Sequence, residues 1–292
     1  MAPVIRGADE PPAGHRCGPL YVSDTLACRV GWSVVGSGVG GRLRRGRGGS
    51  GVREGGLRGG DFTRIGRVPA SKPESRDPAR PAPLGLITDW GGVLTVPVAA
   101  AVTAWLEGDS IDMSGYRSLM TQWVGEAYGG DGLTNPIHAL ERGETTPEEF
   151  EELLAGRLVR IDGAAVPAGG LLRRMFAEMA PVEPMYALLR SLRRAGVRTA
   201  VLSNSWGNNY PRELFAGVFD AVVISSEVGM RKPEERIFLH ALARLGLTPQ
   251  QCVFIDDIEA NVTAARALGM TGLHHRDPEA TAAAVRDLFG LA

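Results

Sequence analysis

The sequence is poor in cysteine, in aromatic residues and in long apolar runs. Only 3 of its 292 residues are cysteine, and Cys17, Cys28 and Cys252 follow no spacing typical of a disulfide framework or a zinc site. No apolar run approaches the roughly 18 residues of a transmembrane helix. The N-terminus also lacks the basic start and the apolar stretch of a secretory signal. These absences favour a soluble cytoplasmic protein with no membrane partner.

The overall net charge of −1 conceals a strong asymmetry along the chain. Residues 1–83 contain 14 basic and 7 acidic residues together with 17 of the 39 glycines. Such a segment buries too little apolar area to offset the entropy of ordering it, so we predict a disordered tail. A Gly/Arg-rich tract can bind nucleic acid by charge, but no aromatic pattern or RNA-binding module supports that function here. We therefore expect an extension of little function, such as an over-long choice of start codon would produce.

The globular pattern begins at Leu84, with the run Leu84–Thr88 followed by Asp89 and by two glycines, Gly91 and Gly92. A short apolar run that breaks into glycines predicts a buried strand and a turn where backbone approaches a ligand. Asp89 is then the last residue of the strand. In an open parallel sheet the ligand crevice lies outside the carboxyl ends of the strands, although an Asp before glycines is also ordinary turn chemistry.

Residues 97–180 have helical spacing, and we refer to them as the insert. Tyr116, Leu119, Met120 and Trp123 fall on one face of a helix, and Thr146–Glu149 has the sequence of a capping box with Pro at the first helical position. We predict a small helical bundle, which could serve as a lid that excludes water from a site.

From residue 181 to residue 292, predicted helices alternate with predicted strands. Strands are expected at Val197–Leu202, Ala221–Ile224, Cys252–Ile255 and Thr271–His274. This alternation predicts an α/β fold of Rossmann type, a parallel sheet with helices on both faces. The core is therefore expected to comprise residues 84–96 and 181–292.

Polar groups follow several of these strands, at what would be one edge of the sheet. They are Asp89, the pair Ser203–Asn204, Lys232 and the pair Asp256–Asp257. Carboxylates gathered at one edge repel one another, and a cation relieves that repulsion. An oxygen-only donor set suits Mg²⁺, and the hydroxyl, amide and lysine beside it could hold a phosphoryl group.

These residues resemble the four motifs of the haloacid dehalogenase-like (HAD) hydrolase superfamily, in the family's order. The motifs are Asp89-Trp90-Gly91-Gly92-Val93, then Leu202-Ser203-Asn204, then Gly229-Met230-Arg231-Lys232-Pro233, then Phe254-Ile255-Asp256-Asp257 with Asn261 four residues on. The insert is similar to the C1-type cap of subfamily IA-like members, with Asn135-Pro136-Ile137 and Glu141-Arg142-Gly143.

The resemblance implies a Mg²⁺-dependent phosphatase that acts on a small phosphorylated metabolite through an aspartyl-phosphate. Asp89 would be the nucleophile and a metal ligand, and the backbone carbonyl of Gly91 would also bind the metal. Ser203 and Asn204 would hydrogen-bond the phosphoryl oxygens. Lys232 would neutralise charge on the phosphoryl group and on Asp89.

The fourth motif would complete the metal site. Asp257 would be a direct ligand, with Asp256 and Asn261 in support. Specificity would depend on cap loops, for which Trp90, Tyr128 and His138 are candidate contacts, although packing roles explain each of them as well.

The sequence departs from the phosphatase pattern at Gly91. Phosphatases of this superfamily usually carry a second Asp there, and general acid–base help is typically worth about 10²–10⁴ in rate. The chain could therefore act on good leaving groups, or borrow an acid from the insert or from water. Alternatively, it could be a catalytically weak metabolite-binding or interaction module. A 2-haloacid dehalogenase needs no phosphoryl acid, but such enzymes do without a metal and would leave the Asp256–Asp257 pair unexplained.

Overall fold

A computed structural model describes residues 82–129, 135–207 and 210–291, with side chains described outside 124–129. The predicted tail therefore lies almost entirely outside the described residues, as does the side chain of Tyr128. No helix among the described residues is long and apolar enough to cross a membrane.

Five parallel strands form a single sheet in the order β3-β2-β1-β4-β5. The strands are β1 Gly85–Thr88, β2 Arg198–Ser203, β3 Ala221–Ile224, β4 Cys252–Asp256 and β5 Thr271–His274. Because all are parallel, their carboxyl ends meet at one edge. The order reverses direction between β1 and β4, and that switch point is where open α/β sheets bind ligands.

Helices cover both faces of this sheet, as the alternating pattern predicts. They are α6 Glu183–Arg194, α7 Arg212–Phe215, α8 Ser225–Val228, α9 Glu235–Leu245, α10 Glu259–Ala267 and α11 Pro278–Phe289. One buried cluster packs α6 and α11 against the sheet, and another packs α9 on the opposite face. The Rossmann-like α/β prediction is confirmed.

Some strand boundaries differ from the prediction by one residue, and a short helix follows β3. Asp89 is the first residue after β1, not its last, because Thr88 makes the last pairings in the ladder. Asp256 instead ends β4, where it pairs with His274. Ser225–Val228, directly after β3, forms the short helix α8, which ends at Gly229 in the left-handed conformation with φ +64°.

The described part of the insert contains five helices around a separate apolar core. They are α1 Val98–Gly108, α2 Met113–Gly129, α3 Pro136–Glu141, α4 Pro147–Ala155 and α5 Leu171–Met175. Thr146 and Glu149 form the predicted capping box at the start of α4. At the start of α3, the Asn135 side chain accepts hydrogen bonds from Ile137 N and His138 N.

The two segments that join the insert to the sheet run side by side. Val96 N donates to Ala180 O at 2.9 Å, and Val182 N donates to Leu94 O at 2.9 Å. The first joining segment leaves the sheet soon after Asp89. This pairing therefore anchors the insert above the carboxyl end of β1.

Candidate active site

Three carboxylates converge at the switch point of the sheet. Asp89 follows β1, Asp256 ends β4, and Asp257 comes next. One carboxylate oxygen from each lies within 4.8 Å of the others. Asp89 and Asp256 are buried, whereas Asp257 is partly exposed. The register explains the proximity, because Thr88 pairs with Ile255 and Asp89 N donates to Ile255 O at 2.8 Å.

A buried lysine lies against two of these acids. Lys232 Nζ is 2.8 Å from Asp89 Oδ1 and 2.6 Å from Asp256 Oδ2, and its side chain is fully buried. A fully buried lysine is costly unless its charge is paired. If all three acids are ionised, one ammonium leaves two negative charges unbalanced, and carboxylates so close repel each other.

The donor set of this site fits Mg²⁺. The three carboxylates offer only oxygen atoms, which hard divalent cations prefer, and their geometry brings one oxygen from each into a common region. A divalent cation there would compensate the two charges that Lys232 leaves unbalanced.

The surroundings of Asp256 differ from those of Asp257. Asp256 Oδ1 accepts from Ile258 N at 2.8 Å and from Asn261 Nδ2 at 3.0 Å, while Oδ2 accepts from Lys232. These donors fix its carboxylate from several sides. Asp257 lies more exposed beside Gly92, where a Cβ built on the glycine would be only 2.4 Å from Asp257 Oδ2. The first acid is therefore held by protein donors, and the second faces the loop after β1.

In the loop after β1, backbone N–H groups donate to side chains of the same segment. Trp90 N donates to Asp89 Oδ1 at 2.7 Å, and Gly92 N donates to Thr95 Oγ1 at 3.0 Å. Gly92 has a φ of +75°, a conformation that glycine adopts without steric cost. Gly91 lines the cavity above the acids and brings no side chain to it.

Ser203 and Asn204 occupy the end of β2, on the other side of Asp89. Ser203 Oγ accepts a hydrogen bond from Tyr210 OH at 3.0 Å. Asn204 Oδ1 accepts from Lys232 N at 2.8 Å, and Asn204 Nδ2 donates to Lys232 O at 3.0 Å. The Asn204 amide thus holds the backbone of Lys232. The predicted phosphoryl contact of Asn204 stays a prediction, and in this structure its side chain positions Lys232.

The insert contributes a buried carboxylate that sequence reasoning gave no role. Glu141, at the end of α3, is 1% exposed. Its oxygens accept from Arg231 Nε at 2.5 Å, Asn204 Nδ2 at 3.2 Å and Trp206 Nε1 at 3.2 Å. All three donors belong to the core, so Glu141 ties the insert to the loops that carry Asn204 and Lys232. The Glu141-Arg142-Gly143 motif marked the position, but only the fold brings these partners to it.

Two aromatic residues, Trp90 and Tyr210, lie in contact at the site, and the sequence did not predict this contact. The rings of Trp90 and Tyr210 are tilted at 60° with centroids 4.8 Å apart. Trp90 is a candidate contact from the sequence, whereas no periodic pattern or motif marks Tyr210. Together they form one wall beside Asp89 and Ser203.

His138 lies beside the charged pair of Glu141 and Arg231. Burial, followed by the positive charge of Arg231, lowers the pKa of His138 to about 4. The imidazole is therefore neutral near pH 7. Its position in the cavity lining agrees with its candidacy as a substrate contact.

A cavity of about 270 Å³ lies between the insert and the carboxyl edge of the sheet. The predicted residues Asp89, Gly91, Ser203, Asn204, Lys232, Asp257 and Asn261 all line it. Asp256 lies beneath them, in contact with Lys232 and Asn261. The opposite wall comes from the insert and is largely apolar. The fold therefore brings all the predicted site residues to one cavity or its immediate support.

A comparison with family models matches residues 85–269 to the haloacid dehalogenase-like hydrolases. The chain belongs to this family. The match covers more than half of the sequence and includes all four motifs. The predicted resemblance is thus confirmed, while its subfamily remains a prediction.

Relatives of this HAD-like hydrolase include phosphatases. It is 32% identical over 154 residues to a sesquiterpene phosphatase of Aspergillus oryzae, covering 51% of this chain and 77% of that one. It is 29% identical over 184 residues to a glyceraldehyde 3-phosphate phosphatase of Methanopyrus kandleri, covering 61% and 73%. Other curated relatives are longer, and the chain spans between 19% and 37% of their lengths. These relatives support the predicted phosphatase class of this hydrolase.

A solved structure has the same fold. A HAD family enzyme of Bacteroides thetaiotaomicron superposes with a TM-score of 0.51 at 22% identity, covering 67% of this chain and 95% of that one. At this identity the likeness concerns the fold alone.

Proposed function

We propose that the protein hydrolyses small phosphate monoesters through an aspartyl-phosphate on Asp89, with Mg²⁺ as cofactor. The observation that carries the proposal is the convergence of Asp89, Asp256 and Asp257 around Lys232 at the floor of one cavity. The insert, residues 97–180, would act as the cap over a core of residues 84–96 and 181–292.

In the first step, a carboxylate oxygen of Asp89 attacks phosphorus and the ester P–O bond breaks. Lys232 and the Trp90 amide fix Asp89 Oδ1, and so orient the carboxylate before substrate arrives. Lys232 would also offset negative charge on the phosphoryl oxygens, with Ser203 as a hydrogen-bond partner. Water then hydrolyses the aspartyl-phosphate and restores the Asp89 carboxylate.

Asp89, Asp257 and the carbonyl of Gly91 would hold the metal, with Asp256 and Asn261 in support. When bound, Mg²⁺ would supply compensation for negative charge on the phosphoryl oxygens. The metal proposal rests on the donor chemistry of this site and on its unbalanced charge.

Gly91 limits the leaving groups that this site can expel. No side chain at that position protonates the departing oxygen, so the favoured substrates have leaving groups that are weak bases. Aryl and acyl phosphates meet this requirement. Water or a residue of the insert would otherwise have to supply the proton.

The test is phosphate release from acetyl phosphate and phenyl phosphate, with Mg²⁺ and with a chelator. We expect Mg²⁺-dependent release that Asp89→Asn lowers by at least about a thousandfold, because an amide is not a nucleophile at phosphorus. Asp162→Asn, an identical change at an exposed carboxylate far from the motifs, serves as the control and should keep full activity.

Two outcomes would contradict the proposal. Release of halide from a chloroacid without metal would indicate a dehalogenase. Binding of phosphate esters with no turnover in wild-type protein would indicate a binding module.

A further inference from the structure

The cavity has two chemically different ends. Asp89, Asp257 and Lys232 form the charged floor. The part of the wall supplied by the insert is apolar and aromatic, and includes Val102, Tyr116, Trp123, Met175, Phe176 and Met179. The first four of these side chains are at most 4% exposed, so the wall is already shielded from bulk water.

The carboxylate and the amide that the insert brings to this cavity are engaged within the protein. Glu141 is paired with Arg231, and Asn135 caps α3 and also donates to the carbonyl of Trp123. His138 is neutral near pH 7, because its pKa is lowered to about 4. Arg173 is exposed, so water solvates its charge. Among the described residues, the insert therefore offers a sugar or an amino acid little buried charged recognition, and the Tyr116 hydroxyl and the neutral His138 ring are uncharged polar groups in its wall.

Resting on the proposed phosphatase activity, we propose that the substrates are phosphate monoesters whose organic group is apolar and compact. The phosphoryl group would lie on the charged floor, and the organic group would contact the insert's wall. A polar organic group would lose its hydration there without recovering hydrogen bonds, which is costly. The cavity's 270 Å³ lies near the lower end of small-molecule sites, which favours an organic group the size of a substituted benzene ring.

A series of para-substituted phenyl phosphates tests this proposal at nearly constant leaving-group basicity. Phenyl, 4-ethylphenyl and 4-propylphenyl phosphate lengthen the apolar group, and O-phosphotyrosine carries a charged three-carbon chain at the same ring position. We expect kcat/KM to rise about fourfold for each added methylene until the cavity is full. O-phosphotyrosine should be at least about tenfold poorer than 4-propylphenyl phosphate.

A variant of the wall provides a second measurement. Val102→Thr replaces a methyl group with a hydroxyl at constant volume, and Thr103 shows that a threonine in α1 can bond the carbonyl four residues earlier. The ratio of kcat/KM for 4-propylphenyl phosphate to that for acetyl phosphate should fall about fourfold. Val159→Thr makes the same change at a side chain 53% exposed and should leave that ratio unaltered.

Acetyl phosphate separates the possible failures, because it reports on the phosphoryl site with almost no organic group. If it is hydrolysed but the alkyl series is flat, or O-phosphotyrosine is the better substrate, the apolar specificity is wrong and the phosphatase function stands. If neither acetyl phosphate nor the aryl esters are hydrolysed, the proposed phosphatase function is wrong, and the inference about apolar substrates is wrong as well.

Discussion

At the scale of single residues, the position of the Asp257 carboxylate depends on Gly92. The glycine has a φ of +75°, and a Cβ there would come within 2.4 Å of Asp257 Oδ2. The carboxylate would have to move, and with it the ligand set that we propose for Mg²⁺. A glycine is required here for two reasons, backbone conformation and close approach.

Gly92→Ala is expected to weaken Mg²⁺ binding about tenfold or more, equivalent to about 1.4 kcal/mol. Gly163→Ala is a matched control, because Gly163 has a φ of +79° and nothing within 4 Å of its Cβ position. Both variants should lose about 1 kcal/mol of stability from backbone strain. Titration of thermal stability with Mg²⁺ measures the difference, and equal responses of the two variants would contradict the predicted site.

His138 predicts a pH dependence of stability. Burial and Arg231 lower its folded-state pKa to about 4, below the unfolded value of about 6.5. Between these values the unfolded chain binds a proton that the folded protein does not. The stability that comes from keeping the folded His138 neutral is therefore complete above about pH 6.5 and is lost as the pH falls towards 4.

His138→Gln should flatten this part of the stability curve relative to wild type. Charges facing the imidazole include Arg231, Glu141, Arg142 and Glu234, and all of them remain in the variant. Urea denaturation at several pH values provides the measurement, and the difference at pH 8 gives the cost of packing alone. Parallel curves between pH 4 and 6.5 would show that His138 titrates normally.

At the scale of elements, the start of α4 depends on a short-range signal in the sequence. Thr146 Oγ1 accepts from Glu149 N, and Glu149 Oε2 accepts from Thr146 N. The helix then buries Phe150 and Leu154 completely in the insert's core. Local capping and helical periodicity agree at this helix, which explains why it was predictable.

Thr146→Ala should destabilise the protein by about 1 kcal/mol, because the Glu149 N–H loses its side-chain acceptor at the helix start. Thr103→Ala is the control, since Thr103 lies within α1 and its exposed hydroxyl bonds only the carbonyl of Ala99. That change should stay within about 0.5 kcal/mol of wild type. Equal losses in urea denaturation would show that the capping box contributes nothing specific.

At the scale of the whole molecule, Glu141 connects the insert with the core. It is buried against Arg231, Asn204 and Trp206, and Asn204 in turn holds the backbone of Lys232. Glu141 therefore links the insert to the core loops that line the cavity.

Glu141→Gln should cost about 1–3 kcal/mol of stability, because buried donors lose a charged acceptor and Arg231 loses its counter-ion. Glu144→Gln removes the charge of an exposed carboxylate three residues away, which pairs with Arg142, and should cost at most about 1 kcal/mol. Proteolysis within the segments that join insert and core, near Val96 and Ala180, should also become faster only in Glu141→Gln. Equal susceptibility of both variants would contradict this role.

The sequence by itself determined the α/β fold, the strands of the core and the residues that gather at the sheet's edge. These depend on short-range signals, namely apolar runs for β1 and β4, capping at Thr146, and motifs in a fixed order. Parallel strands bring their carboxyl ends to one edge, so Asp89 and Asp256 had to lie at the same edge once the fold was inferred. The strand order, with β1 beside β4, then makes them neighbours.

Only the tertiary structure decided which partner each polar group has. Glu141 meets Arg231 across 90 residues of sequence, and Tyr210 reaches Ser203 around a loop with no periodic pattern. The apolar wall of the cavity likewise arises where α1, α2 and α5 pack over the sheet. Such contacts depend on the relative placement of elements distant in sequence, and no local pattern encodes that placement.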